Sequence, residues 1–260
     1  MYLDKIVESK NQDSRFLADR KRDWEQRLSE TKSDQRSFVG SLKASADSEP
    51  SIIAEMKRAS PSKGSFDFKS SVSEQVGHYE RGGARAVSVL TNERFFLGTL
   101  EDLQQARQGT RLPILRKDFL TESWEIPQAK CFGADAILLI AAILTDSQLE
   151  QMIEKAHSCG LEVLLEIHDS EELQRFLHLN TAPDAVGINN RNLQTFEVTL
   201  DTTAELVSSL PKEICRVSES GFATRSDLMR FDGVVDAFLI GESLMRSHQP
   251  EQTLRGWVKG

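Results

Sequence analysis

From residue 50 onward, short runs rich in Val, Ile and Leu alternate with longer stretches whose apolar residues recur every three or four positions. The runs are SIIAEMK (51–57), AVSVLT (86–91), LPILRKDF (112–119), AILLIAA (136–142), EVLLEIH (162–168), AVGINN (185–190), ICRVSES (214–220) and AFLIGES (237–243). Several are continuously apolar rather than alternating, which predicts parallel strands covered on the outside by helices. Between them, TDSQLEQMIEKAHSCG places Leu149, Met152, Ile153 and Ala156 on one stripe, opens on a Thr-Asp cap signal and stops at Gly160. DSEELQRFLHL and LDTTAELVSSLP read the same way. Eight strand–helix units in succession predict an α/β fold, a (β/α)8 TIM barrel. A doubly wound open sheet is the alternative, because periodicity does not establish closure. No GxGxxG follows the first run, which weakens the dinucleotide-binding form of that alternative.

Residues 1–49 carry no strand pattern. Their apolar positions, Leu3, Ile6 and Val7, then Phe16 and Leu17, then Trp24 and Leu28, and later Phe38 and Leu42, predict two helices and a turn. A polar tail would lack such anchors. The expected organisation is an N-terminal helical extension, 1–49, packed on a barrel, 50–260, as a single domain. The 260 residues agree with this, since one α/β barrel takes about 250.

A formal net charge of −8 argues against general binding to nucleic acid or an anionic membrane, while leaving room for a local basic patch that holds a phosphorylated small molecule. Cys131, Cys159 and Cys215 are widely spaced and form no CxxC pair, as expected of small apolar fillers in a reducing compartment. MYLDKIVESK has no apolar signal core, and the longest apolar run, Ala136 to Leu144, is too short to span a bilayer. A cytoplasmic protein is expected.

The charged residues fall where this fold does its chemistry, at the C-terminal ends of the strands. Side chains alternate along a strand, so Ile53, Glu55 and Lys57 share a face, and Lys117 shares one with Leu115 and Phe119. The fifth run ends with Glu166, the sixth with Asn189 followed by Arg191, the seventh with Glu219 and Ser220, and the eighth runs into Gly241. Charges at the ends of otherwise apolar strands cost several kcal/mol unless they are paired or used. Acids, bases and amide donors gathered at one end therefore predict a site. SESGF and LIGESL, after the last two strands, fit a phosphate site built from backbone N–H groups; either Gly221 or Gly241 alone would read as a tight-turn residue, but the two together favour phosphate. Ser60 could add a hydroxyl. Of the five histidines only His168 falls near the mouth, and no pair has metal-ligand spacing, so no metal is expected. Two lysines in one dry mouth are expected to lower each other's pKa.

At these residues the sequence resembles the indole-3-glycerol-phosphate synthase family. The resemblance covers essentially the whole chain and is most specific at IIAEMKRASPSKG (52–64), with support from LRKDF (115–119), LLEIHD (164–169), GINNRNL (187–193), SESG (218–221) and LIGESLM (239–245). It implies closure of 1-(2-carboxyphenylamino)-1-deoxyribulose 5-phosphate to indole-3-glycerol phosphate, with loss of CO2 and water and without metal or organic cofactor. By motif, Lys117 would be the general acid. Lys57, oriented by Glu55, would contact the substrate carboxylate, and Glu166 would serve the dehydration. Asn189, Arg191 and Glu219 would position carboxylate and hydroxyls. Ser60, Ser220, Gly221, Gly241 and the backbone N–H of Glu242 would hold the phosphate, while Phe96 and Phe119 wall the aromatic ring and Leu193 joins the binding set. The Glu242 carboxylate fits there only if it turns away. The implied partner is that small substrate, with no nucleic acid or membrane. The chain is expected as a monomer or weak dimer, and association with other tryptophan-pathway enzymes stays open. Phosphoribosylanthranilate isomerase is a competing barrel enzyme, but it calls for a Cys/Asp pair and lacks AEMKRASPSKG. A sugar-phosphate-sensing barrel would have lost the acids and bases present here.

Overall fold

The computed structural model describes residues 2–17, 21–30, 36–43, 49–61, 63–66 and 70–260. Eight parallel strands lie where the apolar runs predict them: β1 (Ile52–Met56), β2 (Ala86–Leu90), β3 (Ile114–Lys117), β4 (Ala136–Ile140), β5 (Glu162–Ile167), β6 (Ala185–Asn189), β7 (Cys215–Glu219) and β8 (Ala237–Ile240). Each pairs with its neighbour in sequence, and β1 pairs with β8 through Ile52–Phe238, Ile53–Leu239 and Ala54–Ile240, so the sheet is a closed barrel. The open-sheet alternative is thereby excluded.

Period-2 alternation sorts the side chains. On β1, Ile52, Ala54 and Met56 join the layer between strands and helices, while Ile53 joins Leu115, Leu138, Leu164, Val217 and Leu239 inside the barrel. Helices cover the outside: α4 (Val72–Gly82), α5 (Glu93–Phe96), α6 (Leu100–Gly109), α7 (Glu125–Cys131), α8 (Asp146–Ser158), α9 (Ser170–Leu177), α10 (Asp201–Leu206), α11 (Arg225–Met229), α12 (Glu242–Arg246) and α13 (Pro250–Lys259) follow the extension's three. On α8 the predicted Leu149, Met152, Ile153 and Ala156 are the buried stripe, and Thr145 and Gln148 form a capping box. Gly160 stands at φ 66, in the left-handed region that favours glycine. The run Ala136–Leu144 splits into β4 and a 3-10 turn, Ala141–Ile143. The first loop carries an unforeseen hairpin, Ala59–Ser60 against Gly64–Ser65, and Ser62 of the signature lies outside the described residues.

Among the described residues the extension holds three helices, one more than expected: α1 (Tyr2–Leu17), α2 (Lys21–Glu30) and α3 (Phe38–Lys43). Ile6 of α1 clusters with Phe119 beyond the C-terminal end of β3. Trp24 of α2 meets Phe132 at 5.7 Å, beside α7. Phe38 and Leu42 of α3 are fully buried against Ala86, Ala136, Ala185, Cys215 and Ala237, the first residues of five strands. Those small residues leave room for α3 to close the N-terminal end of the barrel, where Ser37 Oγ and the Val39 N–H donate to Glu162. The side chains of Phe16 and Leu17 lie outside the described ones. Among the described residues no helix is long and apolar enough to cross a membrane. The three cysteines are free, and burial pushes the Cys215 thiol up to about 12.

Candidate active site

The same alternation that points Ile53 and Leu115 into the barrel carries Glu55, Lys117, Glu166, Asn189 and Glu219 to its C-terminal mouth. All five line one cavity of about 750 Å3, within the usual range for a small-molecule site. Leu90, Leu138 and Ile140 supply its apolar floor.

At the centre, Lys117 Nζ donates to Glu166 Oε2 at 2.8 Å and stands 3.3 Å from Glu219 Oε2. Asn189 Nδ2 donates to the other oxygen of Glu166 at 3.1 Å. His168 Nε2 makes a further charge contact with that oxygen at 3.1 Å, without hydrogen-bond alignment, and its Nδ1 faces Glu172 at 3.0 Å. Burial alone would lower the His168 pKa, but Glu166 and Glu172 push it up to about 10. At the rim, Lys57 Nζ donates to Glu55 Oε1 at 2.6 Å.

These contacts reverse the expected direction for Lys117. Burial pulls its pKa down, but Glu166, Glu219 and Glu55 more than offset this and hold it above its ordinary value. The lowering expected for Lys117 fails because its nearest charges are carboxylates. Glu166 is driven the other way: burial favours its neutral form, yet Lys117 and then His168 hold it well below the usual carboxylate range. Glu219 is pushed up to about 8, chiefly by burial and further by Glu166, with Lys117 only partly opposing. Its Oε1 has no hydrogen-bond partner among the described residues. The surroundings thus favour the charged forms of Lys117 and Glu166 and the protonated form of Glu219 beside them.

The glycines are explained by space as much as by turns. A Cβ on Gly187 would collide with Glu219 Oε1, and one on Gly241 would collide with Glu55 Oε1 and crowd Lys57 Nζ. Gly241 sits at φ −123, so close approach rather than backbone freedom requires it. Gly221 at φ 92 does use the left-handed region, next to Ser220 at φ 67. That turn is pinned by Asn190, whose Nδ2 donates to the carbonyls of Glu219 (3.0 Å) and Ser220 (3.1 Å). Sequence reasoning missed Asn190; a second polar residue directly after a buried strand was the available signal.

Ser220, Gly221, Gly241 and Glu242 line the main cavity, with Ser243 beside them. Ser60 lies instead on an adjoining apolar recess with Leu3, Ile6, Phe96, Phe119, Arg191 and Leu193. The Phe96 and Phe119 rings stand 6.1 Å apart, 32° from parallel. Arg191 donates to the Phe196 carbonyl at 3.2 Å, and its own N–H donates to Asn189 Oδ1. The Glu242 carboxylate does not turn away. It meets Arg246 Nε at 3.2 Å, Lys63 Nζ at 3.6 Å and Arg191 Nη2 at 3.6 Å, three cations that make its place in the mouth affordable. Lys63 and Arg246 were not anticipated.

A closed (β/α)8 barrel with charged groups of both signs converging at its C-terminal mouth defines the class of barrel proteins built for acid–base chemistry on a small molecule. The family described as Indole-3-glycerol phosphate synthase matches residues 3–256. The chain is 46% identical over 217 residues to the indole-3-glycerol phosphate synthase of Polaromonas naphthalenivorans, covering 83% of this chain and 82% of that protein. It is 44% identical over 223 residues to that of Burkholderia vietnamiensis, covering 85% of each. Among solved structures it is similar to thiamine phosphate pyrophosphorylase from Pyrococcus furiosus (TM-score 0.61, 16% identity, 85% of this chain and 96% of that one). It is also similar to KGPDC from Streptococcus mutans (TM-score 0.58, 12% identity, 80% and 95%). Those two likenesses concern the fold alone. The chain belongs to the indole-3-glycerol phosphate synthase family, which places it in tryptophan biosynthesis.

Proposed function

We propose that the protein is a carboxy-lyase that closes 1-(2-carboxyphenylamino)-1-deoxyribulose 5-phosphate into indole-3-glycerol phosphate, releasing one CO2 and one water. The observation that carries this is Lys117 Nζ held between Glu166 and Glu219 at the centre of the cavity. In the first half, the aryl carbon bearing the carboxylate attacks the ketose carbonyl while Lys117 protonates the carbonyl oxygen. Lys57, fixed by Glu55, stands over the carboxylate whose C–C bond then breaks, its electron pair returning to the ring. In the second half the new hydroxyl leaves as water and a proton is lost, with Glu166 exchanging protons with Lys117. Phe96, Phe119 and Leu193 enclose the ring, and Arg191 and Asn189 orient its carboxylate and the sugar. Ser220, Gly221, Gly241 and the Glu242 N–H take the phosphate, which would draw Lys63, Arg191 and Arg246 from the Glu242 carboxylate. Anchoring both ends folds the substrate toward its reactive conformer. A reducing, cytoplasmic setting and a monomer or weak dimer complete this reading.

The test is direct. Purified protein given the substrate in the presence of EDTA is expected to turn over, followed as indole absorbance; binding without turnover would move a sensing barrel to the front.

Glu219 sets a pH dependence. With its pKa up to about 8, it is a neutral donor below that pH and becomes a second carboxylate beside Glu166 above it. Activity that uses the neutral form is kept at lower pH and lost as pH rises through about 8. Glu219→Gln cannot ionise and is expected to move the alkaline limb of kcat/KM upward, whatever its effect on the plateau. An unmoved limb would assign it to another group.

A further inference from the structure

One half-buried cation of helix α1 meets the segment that carries Lys117. Lys10 Nζ lies 2.8 Å from Asp118 Oδ2 and 2.7 Å from Glu125 Oε1. Asp118 follows Lys117 directly, and its carboxylate also accepts from Thr91 Oγ1, Asn92 Nδ2, Arg116 Nη2 and the N–H of Phe119. Glu125 in turn accepts from the N–H groups of Thr121 and Glu122. The backbone from 116 to 125, which carries Lys117 and Phe119, is thus tied to a network whose only described contribution from α1 is the Lys10 cation. One and two turns earlier in α1, Ile6 and Leu3 form part of the recess with Phe96 and Phe119. A second tie, Arg94 Nη1 to Ser9 Oγ at 3.1 Å, joins α1 to the helix that bears Phe96.

We propose that Lys10 is a positioning residue: its paired contacts with Asp118 and Glu125 latch α1 across the mouth, fixing the apolar wall around the substrate ring and the segment that presents Lys117. Two charges of each sign balance the network, Lys10 and Arg116 against Asp118 and Glu125. Arginine could span the same two carboxylates, whereas methionine keeps only the length of the chain.

The kinetic part rests on the ring-closing reading, and the latch itself does not. In the full-length protein, Lys10→Met is expected to speed amide hydrogen exchange across residues 3–9. It is also expected to raise KM by about tenfold or more, the scale of one lost charge-assisted contact. Lys10→Arg is expected to restore both. If Lys10→Met does not fold, Lys10→Met with Glu125→Gln leaves the network neutral and is expected to show the same two changes. Unchanged exchange would overturn the latch. A loss of active fraction at unchanged KM would reduce Lys10 to a stability element and overturn the positioning role. A wild-type chain without turnover would fail the ring-closing reading alone, and the exchange measurement would still decide the latch.

Discussion

Lys117→Met is expected to lower turnover at least about a thousandfold, since general-acid and charge-stabilising groups each contribute factors of that order. Lys117 is the cation between Glu166 and Glu219, and those carboxylates hold its pKa above the ordinary value. It therefore meets the ketose carbonyl fully protonated, and methionine of similar length supplies no proton. The fold should tolerate the change. Glu219 keeps its own proton, and Asn189 and His168 still face Glu166. Binding should persist as well, because the phosphate loops lie on other strands and the Phe96 and Phe119 side chains of the aromatic recess are kept. Single-turnover assays of CO2 release and indole absorbance should both collapse, while calorimetry still reports substrate binding. Turnover within tenfold of the unmodified protein would remove Lys117 as the acid.

Glu166→Gln is expected to cost about a hundredfold to ten-thousandfold in indole formation, but unevenly between the two halves. Glutamine keeps the volume and one acceptor for Asn189, yet it removes the charge that faces Lys117 at 2.8 Å and His168 at 3.1 Å. Without a base the hydroxyl intermediate loses water slowly, so CO2 should appear before indole absorbance in a single turnover. If CO2 release slows in parallel with indole, Glu166 serves ring closure and the assignment of halves is wrong. His168 should respond too. Having lost one of the two carboxylates that push it up to about 10, it should titrate at lower pH, which NMR of the ring can follow.

Much of the site was legible because strand periodicity is local. Once SIIAEMK and EVLLEIH are strands, the i, i+2 rule puts Glu55 with Ile53 and Glu166 with Leu164, whatever the rest of the chain does. The signature from Ile52 to Gly64 and the ordered motifs after it fixed the family. The number of strands, their starting positions to within two residues and the gathering of polar groups at one end also followed from pattern alone.

Other features were decided between residues far apart in the chain. Lys117 was expected to be lowered by Lys57 and is instead raised, because β5 and β7 bring Glu166 and Glu219 nearer to it than pattern could tell. Gly241 was read as part of a phosphate loop, and the closed barrel also made it the neighbour of Glu55 and Lys57. Lys10 was one charge among many in a polar extension until folding set it against Asp118, 108 positions away. Composition and periodicity encode which way a side chain faces, since that is settled by its own backbone. Which charge it meets, and so which way its proton equilibrium moves, depends on through-space distance, and only closure of the barrel sets that.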